Sequence, residues 1–197
     1  MTGSQTVTGN AINPVVIVLA SGRGERFLAS GGATSKLQAM LAGRTVLERT
    51  LAAVAASGLP FRVVDAGYPG MGDSIAAGVR ATLDAPAWLI LPGDLPLIQP
   101  STLREIAAAP AELDVVVPFV QGKPGHPVRF SNRCKGELIN LTGVQGAASV
   151  IRNWPATHWP LTDVGCIFDI DTLHDLQRAE RQVALNRVPE LVKNHSR

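Results

Sequence analysis

The stretch Val15-Val16-Ile17-Val18-Leu19-Ala20-Ser21-Gly22-Arg23-Gly24-Glu25-Arg26 decides how this chain is read. Its first five residues are an unbroken apolar run, mostly β-branched, with no polar alternation. That is the pattern of a strand buried on both faces of a parallel sheet. The run gives way to a Gly-rich loop from Ser21 to Ser35. In open α/β sheets, ligands bind beyond the carboxyl ends of the strands, which is where this loop starts. Gly22 and Gly24 permit backbone conformations that turn successive N–H groups into one concavity, a nest for phosphate oxygens, with Arg26 and Lys36 adding positive charge. Phe27 stands where a dinucleotide fingerprint needs its third glycine, and Lys36 has neither the preceding Gly nor the following Ser/Thr of a Walker A loop. By itself a G-x-G-x-R loop also describes an ordinary surface loop. Its place directly after an all-apolar strand favours the phosphate reading.

Outward from this stretch, strands and helices alternate. Val46 to Ala56 carries apolar residues at helical spacing and stops at Gly58-Leu59-Pro60. Phe61 to Val64 is a short strand, and Gly72-Asp73-Ser74 opens a helix to about Leu83, with Asp73 or Ser74 as its cap. Trp88 to Leu91 is a buried strand ending at Pro92-Gly93-Asp94, and Pro100 to Ala108 a helix. Asp114 to Phe119 is a strand, followed by a turn at 121–126 and a shorter strand from Pro127 to Phe130. Helical segments around Cys134–Leu141 and Gly146–Arg152, a strand at Ile167 to Ile170 and a last helix capped by Thr172 and Asp175 complete the order. The expected fold is a single three-layer, Rossmann-like α/β domain with a mostly parallel sheet, over 14–188, between a flexible arm (1–13) and a polar tail (189–197).

Composition narrows the function classes. The chain of 197 residues is 46% hydrophobic, 17% charged and 5% aromatic, with a formal net charge of +2. Its basic residues are dispersed, without the stripe of a nucleic-acid binder. Two cysteines, Cys134 and Cys166, make neither a disulfide framework nor a zinc knuckle and read as plain packing or surface residues. Trp88, Trp154 and Trp159 read as core or shelf residues. The N-terminus lacks a basic n-region, and the apolar run at 14–20 is too short to span a membrane, so the expectation is a cytoplasmic protein without membrane contact.

Several motifs resemble, in order, those of the MobA-like nucleotidyltransferases. Leu19 to Arg26 with Lys36-Leu37 resembles the family's signature loop. Gly70-Met71-Gly72-Asp73-Ser74-Ile75-Ala76-Ala77-Gly78 is similar to the G-M-G-x-S-x-x-x-G segment of the molybdenum cofactor cytidylyltransferase branch. Leu91-Pro92-Gly93-Asp94-Leu95-Pro96-Leu97 resembles a metal-binding G-D-x-P strand end. Gly122-Lys123-Pro124-Gly125-His126-Pro127 is similar to G-x-x-G-H-P, and Asp169-Ile170-Asp171-Thr172 to D-I-D-T.

The resemblance implies a fold of the nucleotide-diphospho-sugar transferase type. It also implies transfer of a nucleoside monophosphate from an NTP to a phosphorylated acceptor, with Mg²⁺ as cofactor. On that branch the acceptor is molybdopterin carrying molybdenum, and a molybdoenzyme is a further candidate partner. The implied nucleotide-binding residues are Leu19, Ala20, Ser21, Gly22, Arg23, Gly24, Gly72 and Ser74. Arg26, Lys36 and Asp94 take catalytic roles, Asp94 and Asp171 hold the metal with Asp169 behind, and Gly125 and His126 lie on the acceptor side. Each has a plainer alternative: Asp94 as a turn former, Asp171 as a helix-dipole partner, His126 as a turn residue, Arg26 or Lys36 as a solvated cation.

Three departures stand out. The loop between Arg26 and Lys36 is long, with 30–35 inserted, and reads either as a lid or as surface slack. The segment between Ser57 and Gly70 has room for one strand where the family fits two. Gly143-Val144-Gln145-Gly146-Ala147-Ala148 stands where the family has G-D-x-G-A-R, so an acidic and a basic residue are absent at Val144 and Ala148. Relatives that transfer GMP carry Gly at the position of Ser21 and those that transfer CMP carry Ala; the Cβ of Ser21 and the Gly-Met-Gly segment favour CTP. Two other readings stay open: a non-catalytic accessory protein that binds nucleotide or cofactor, and a transferase acting on a sugar or polyol phosphate.

Overall fold

In the computed structural model, which describes residues 13–22 and 24–193 (the side chains of 186–193 excepted), the opening run forms the strand β1 (Val15–Leu19). The expected arm lies outside the described residues apart from Asn13, as does Arg23. There follow α1 (Glu25–Ala29), a short ribbon of β2 (Met40–Leu41) and β3 (Arg44–Thr45), α2 (Val46–Ser57), β4 (Phe61–Val64), α3 (Met71–Arg80) and β5 (Ala87–Pro92). Next come α4 (Pro100–Ala107), β6 (Val115–Val120), β7 (Lys123–Pro124), β8 (Val128–Ser131), α5 (Lys135–Leu138), α6 (Ala148–Asn153), β9 (Ala156–Pro160) and α7 (Leu173–Lys193).

β1 lies between β4 and β5, parallel to both, and Val16, Ile17 and Val18 are fully buried. β8 runs antiparallel between β5 and β6, and β9 pairs parallel to β6 on its other side. The sheet is therefore mostly parallel, with β8 and the two-residue β7 reversed. Side chains alternate between its faces. Ile17, Trp88, Ile90, Val117 and Phe130 join Ile75, Val79, Leu138 and Val150 on the face covered by α3, α5 and α6. Val16, Val18, Leu89, Leu91 and Val116 meet Val54, Leu103 and Ile106 of α2 and α4 on the other. This is the expected three-layer α/β/α domain. A third cluster joins Phe27 of α1, Leu41, Val46 and Ile170 to Ala179 and Val183 of α7.

Local signals explain most of the elements. α2 begins with a capping box, in which Glu48 N–H donates to Thr45 Oγ1 and Thr45 N–H to Glu48 Oε2, and ends at Gly58 with φ 74°. α7 has the expected reciprocal cap between Thr172 and Asp175.

Four expectations need correction. The strand expected at Ile167–Ile170 is absent. Residues Val164–Ile167 form a 3-10 turn whose Asp163 carboxylate accepts from Gly165 N–H, Gln99 N–H and Thr102 Oγ1. The backbone there pairs outside the sheet, His126 N–H donating to Cys166 O and Ile170 N–H to Asp94 O. The outer strand is instead β9, which is largely exposed and lacks the apolar run of a core strand. α3 starts at Met71 without a side-chain cap: Gly72 N–H donates to Gly143 O, and the Asp73 carboxylate accepts from Gly143 N–H. Finally, the Gly-rich segment is not loop throughout, because Glu25–Ala29 is helical and buries Phe27.

Candidate active site

At the carboxyl ends of β1 and β5, backbone hydrogen bonds fix the chain before any side chain is placed. Gly93 N–H donates to Leu19 O, and Thr50 Oγ1 donates to Gly93 O. A Cβ at position 93 would sit 3.0 Å from Leu19 O, so glycine lets the Pro92-Gly93-Asp94 turn lie against the end of β1. Asp94 is thereby held beside the loop that leaves β1. Ile170 N–H donates to Asp94 O at 3.0 Å, which brings Asp171 to the same place.

Lys36 closes the arrangement. Its Nζ lies 2.5 Å from Asp94 Oδ2 and 2.8 Å from Asp171 Oδ1, and Arg26 Nη1 lies 2.7 Å from Asp171 Oδ2. Lys36, Asp94 and Asp171 are mostly buried, whereas the Arg26 side chain is 77% exposed. Asp94 Oδ1 is buried without a hydrogen-bond partner. Burial alone would lower the Lys36 pKa, but the charge of Asp94 and the hydrogen bonds to both carboxylates outweigh it and raise the ammonium above its ordinary value. Burial works against ionisation of Asp171, yet the hydrogen bond and charge of Lys36 hold its carboxyl below the usual range. Asp169 goes the other way, raised by burial and by the charges of Asp171 and Asp94.

An open cleft of about 360 Å³ runs from Lys36 and Asp94 past Leu19, Ser21 and Gly22 to Tyr68, Met71 and Ser74. Ser21 Oγ and Ser74 Oγ are hydrogen-bonded at 2.8 Å, tying the Gly-rich loop to the start of α3. Gly24, with φ 64°, packs on Lys36. On the other side of Lys36 a second depression is lined by Gly22, Gly24, Arg26 and Asp171.

Of the residues singled out in the sequence, Leu19, Ser21, Gly22, Lys36, Ser74 and Asp94 line the main cleft, and Arg26 and Asp171 the adjoining depression. Ala20 follows β1, its N–H bonded to Val64 O. Gly72 does not line the cleft; a Cβ there would meet Thr142 O at 2.6 Å, and the residue serves the close approach of the 142–143 loop. Gly125 and His126 sit between β7 and β8, with Gly125 packed against the carbonyl of Cys166. Burial lowers the His126 pKa, and its Nδ1 is buried without a hydrogen-bond partner. Burial pushes the thiols of Cys134 and Cys166 up to about 11 and about 12, far from the thiolate a nucleophile needs.

Sequence reasoning missed the outer wall of the cleft, formed by Tyr68, Pro69, Met71 and Val144. The signal for Tyr68 was its place after β4, since loops at the carboxyl ends of parallel strands carry ligand contacts. Val144 is 79% exposed at the rim, where the expected acidic residue is missing. The long segment after Arg26 is tied down at its start, where Ser30 Oγ accepts from Leu173 N–H and Phe27 is buried against α7, while residues 30–35 themselves are exposed or half-buried.

The donor set formed by Asp94 and Asp171 is all carboxylate oxygen, suited to Mg²⁺ or Mn²⁺, and Asp94 Oδ1 has a lone pair to offer. Among the described residues no group of three or more His, Cys, Asp or Glu side chains forms a metal cage. No described helix is long and apolar enough to cross a membrane.

Comparison with known proteins gives a family and a fold. The family model described as the MobA-like NTP transferase domain matches residues 52–159. No curated protein matches the chain. Rv0371c from Mycobacterium tuberculosis, also solved as a manganese complex, superposes with a TM-score of 0.72 at 23% identity, covering 87% of this chain and 98% of the other. A nucleotidyl transferase from Methanothermobacter gives 0.74 at 19% identity, covering 89% and 99%. Molybdopterin-guanine dinucleotide biosynthesis protein A from Archaeoglobus fulgidus gives 0.64 at 20%, covering 86% and 98%. At these identities the likeness is one of fold.

Proposed function

The chain belongs to the family of MobA-like NTP transferase domains, and from that premise we propose that it transfers CMP, in preference to GMP, from an NTP to the phosphate of a molybdopterin-type acceptor, in the cytoplasm. The observation that carries the reading is Lys36 set between Asp94 and Asp171 at the foot of a cleft floored by the Gly-rich loop.

The reaction makes modest demands on the protein. A terminal phosphate oxygen of the acceptor attacks the α-phosphorus in line, the bond to the β-phosphate oxygen breaks, and pyrophosphate leaves with that electron pair. The attacking phosphate is already largely ionised near neutral pH, so no serine, cysteine or general base is needed. What remains is to align two polyanions and balance their charge. In this reading the N–H groups of Ser21, Gly22, Gly24 and Glu25 hold the triphosphate, and Lys36 and Arg26 neutralise it. Asp94 and Asp171 would hold a divalent cation, Mg²⁺ in the cell, whose chemistry would be to neutralise charge on the phosphates. In this reading Ser74 and the Tyr68–Met71 wall meet the nucleoside, and the acceptor role of Gly125 and His126, which do not line the cleft, rests on the resemblance.

Asp94→Ala is expected to abolish pyrophosphate release from CTP with charged molybdopterin while leaving the circular dichroism spectrum unchanged. Release at the wild-type rate would overturn the assignment. The exposed Val144 and the Ala148 that replaces a basic residue favour one second reading, an accessory protein that binds nucleotide for a molybdoenzyme without turning it over. CTP binding with Mg²⁺ but no cytidylylated product would select it. Sugar or polyol phosphates in place of molybdopterin test the third possibility in the same assay.

A further inference from the structure

The ammonium of Lys36 lies 2.5 Å from Asp94 Oδ2 and 2.8 Å from Asp171 Oδ1. A divalent cation shared by these carboxylates needs its own oxygens at about 2.0–2.1 Å. Two cations cannot occupy one gap between the same pair of oxygens. We propose that Lys36 is a placeholder for the divalent cation, so that the nucleotide-free protein excludes the metal and the nucleotide must draw Lys36 away for the metal to enter. This inference rests on the nucleotidyltransferase reading and adds to it an order of assembly.

Charge accounting supports it. Lys36 and Arg26 already balance the charges of Asp94 and Asp171 through direct ion pairs. A divalent cation arriving alone would leave two excess positive charges in a mostly buried site, a costly state. A triphosphate reverses the sign: it offers oxygens to Lys36 and Arg26, which releases the carboxylates. The short reach this requires is available, because Lys36 lines both the main cleft and the depression that holds Arg26 and Asp171. Asp94 Oδ1, buried without a partner, is the oxygen left waiting.

The test is Mn²⁺ binding, read by electron paramagnetic resonance of the free ion, to nucleotide-free wild type and to Lys36→Met and Lys36→Gln. Both variants are expected to bind Mn²⁺ at least tenfold more tightly than wild type, and Asp94→Asn added to either should remove the gain. Wild type is expected to acquire the same site on addition of the α,β-methylene analogue of CTP. If folded Lys36→Gln binds no better than wild type without nucleotide, the placeholder role is overturned. The arm with the analogue addresses the function separately: if it binds neither protein, nucleotide transfer fails while the Lys36 comparison still stands. Thermal unfolding with and without Mn²⁺ supplies a second readout should Lys36→Met fold poorly, since selective binding to the folded state raises its Tm.

Discussion

At the residue scale, the cluster around Lys36 makes a prediction about acid. Asp171 is buried, which by itself opposes ionisation, but the hydrogen bond and charge of Lys36 prevail and depress its pKa. Arg26 adds little because it is largely exposed, and water screens such pairs. A carboxyl with a depressed folded-state pKa contributes stability above its unfolded value, and that contribution is lost as pH falls through the folded value. Asp169 has the opposite sign: burial and the charges of Asp171 and Asp94 raise its pKa, so its ionisation weakens the fold and acid relieves the strain. Carboxyl-carbon NMR titration is therefore expected to find Asp171 below the ordinary carboxylate range and Asp169 above it. Lys36→Met should carry Asp171 upward and erase its share of the acid-dependent loss of stability. Coincident midpoints for Asp169 and Asp171 in the wild type would contradict the arrangement.

At the element scale, α1 is the piece that carries Arg26 into the site, and a single side chain anchors it. Phe27 is 1% exposed and packs with Leu41, Val46 and Ile170 and with Ala179 and Val183 of α7. Phe27→Ala is expected to cost about 3 kcal/mol in denaturant unfolding, the range for emptying a core phenylalanine site. A cost below about 1 kcal/mol would mean that the segment is not docked as described. The same element shows what sequence reasoning could see. β1, β5 and β6 are buried on both faces, so they appear as continuous apolar runs. α1 is only five residues long and carries one buried side chain, so no helical period can emerge from it. β9 escaped for a related reason: at the sheet's edge its residues are exposed or half-buried, and Ala156-Thr157-His158-Trp159-Pro160 lacks a core pattern. Ile167–Ile170 misled in the opposite way, since Ile170 is buried, and Ile167 and Phe168 half-buried, by packing and not by pairing in the sheet.

At the scale of the whole molecule, the site depends on contacts that no local reading can join. Lys36 and Asp171 are 135 positions apart, and Asp171 reaches the site because Ile170 N–H donates to Asp94 O. The ordered motifs indicated which residues mattered; the sheet determined that two carboxylates would share one ammonium. A net charge of +2 over 197 residues offers a nucleotide no broad electrostatic attraction, so binding must come from a few placed groups. Lys36 and Arg26 are engaged with Asp94 and Asp171. Nucleotide alone would leave those carboxylates facing its phosphates, and metal alone would meet the ammonium, so each ligand should bind weakly without the other. Ligand at a hundred times its Kd stabilises the folded state by about 2.7 kcal/mol. For a domain of this size that corresponds to a rise in Tm of about 5–10 °C. CTP with Mg²⁺ is expected to produce that rise, GTP with Mg²⁺ a smaller one, and either nucleotide in excess EDTA much less. A full shift in EDTA would mean that the nucleotide binds without the cation, and that Asp94 and Asp171 serve only to hold Lys36.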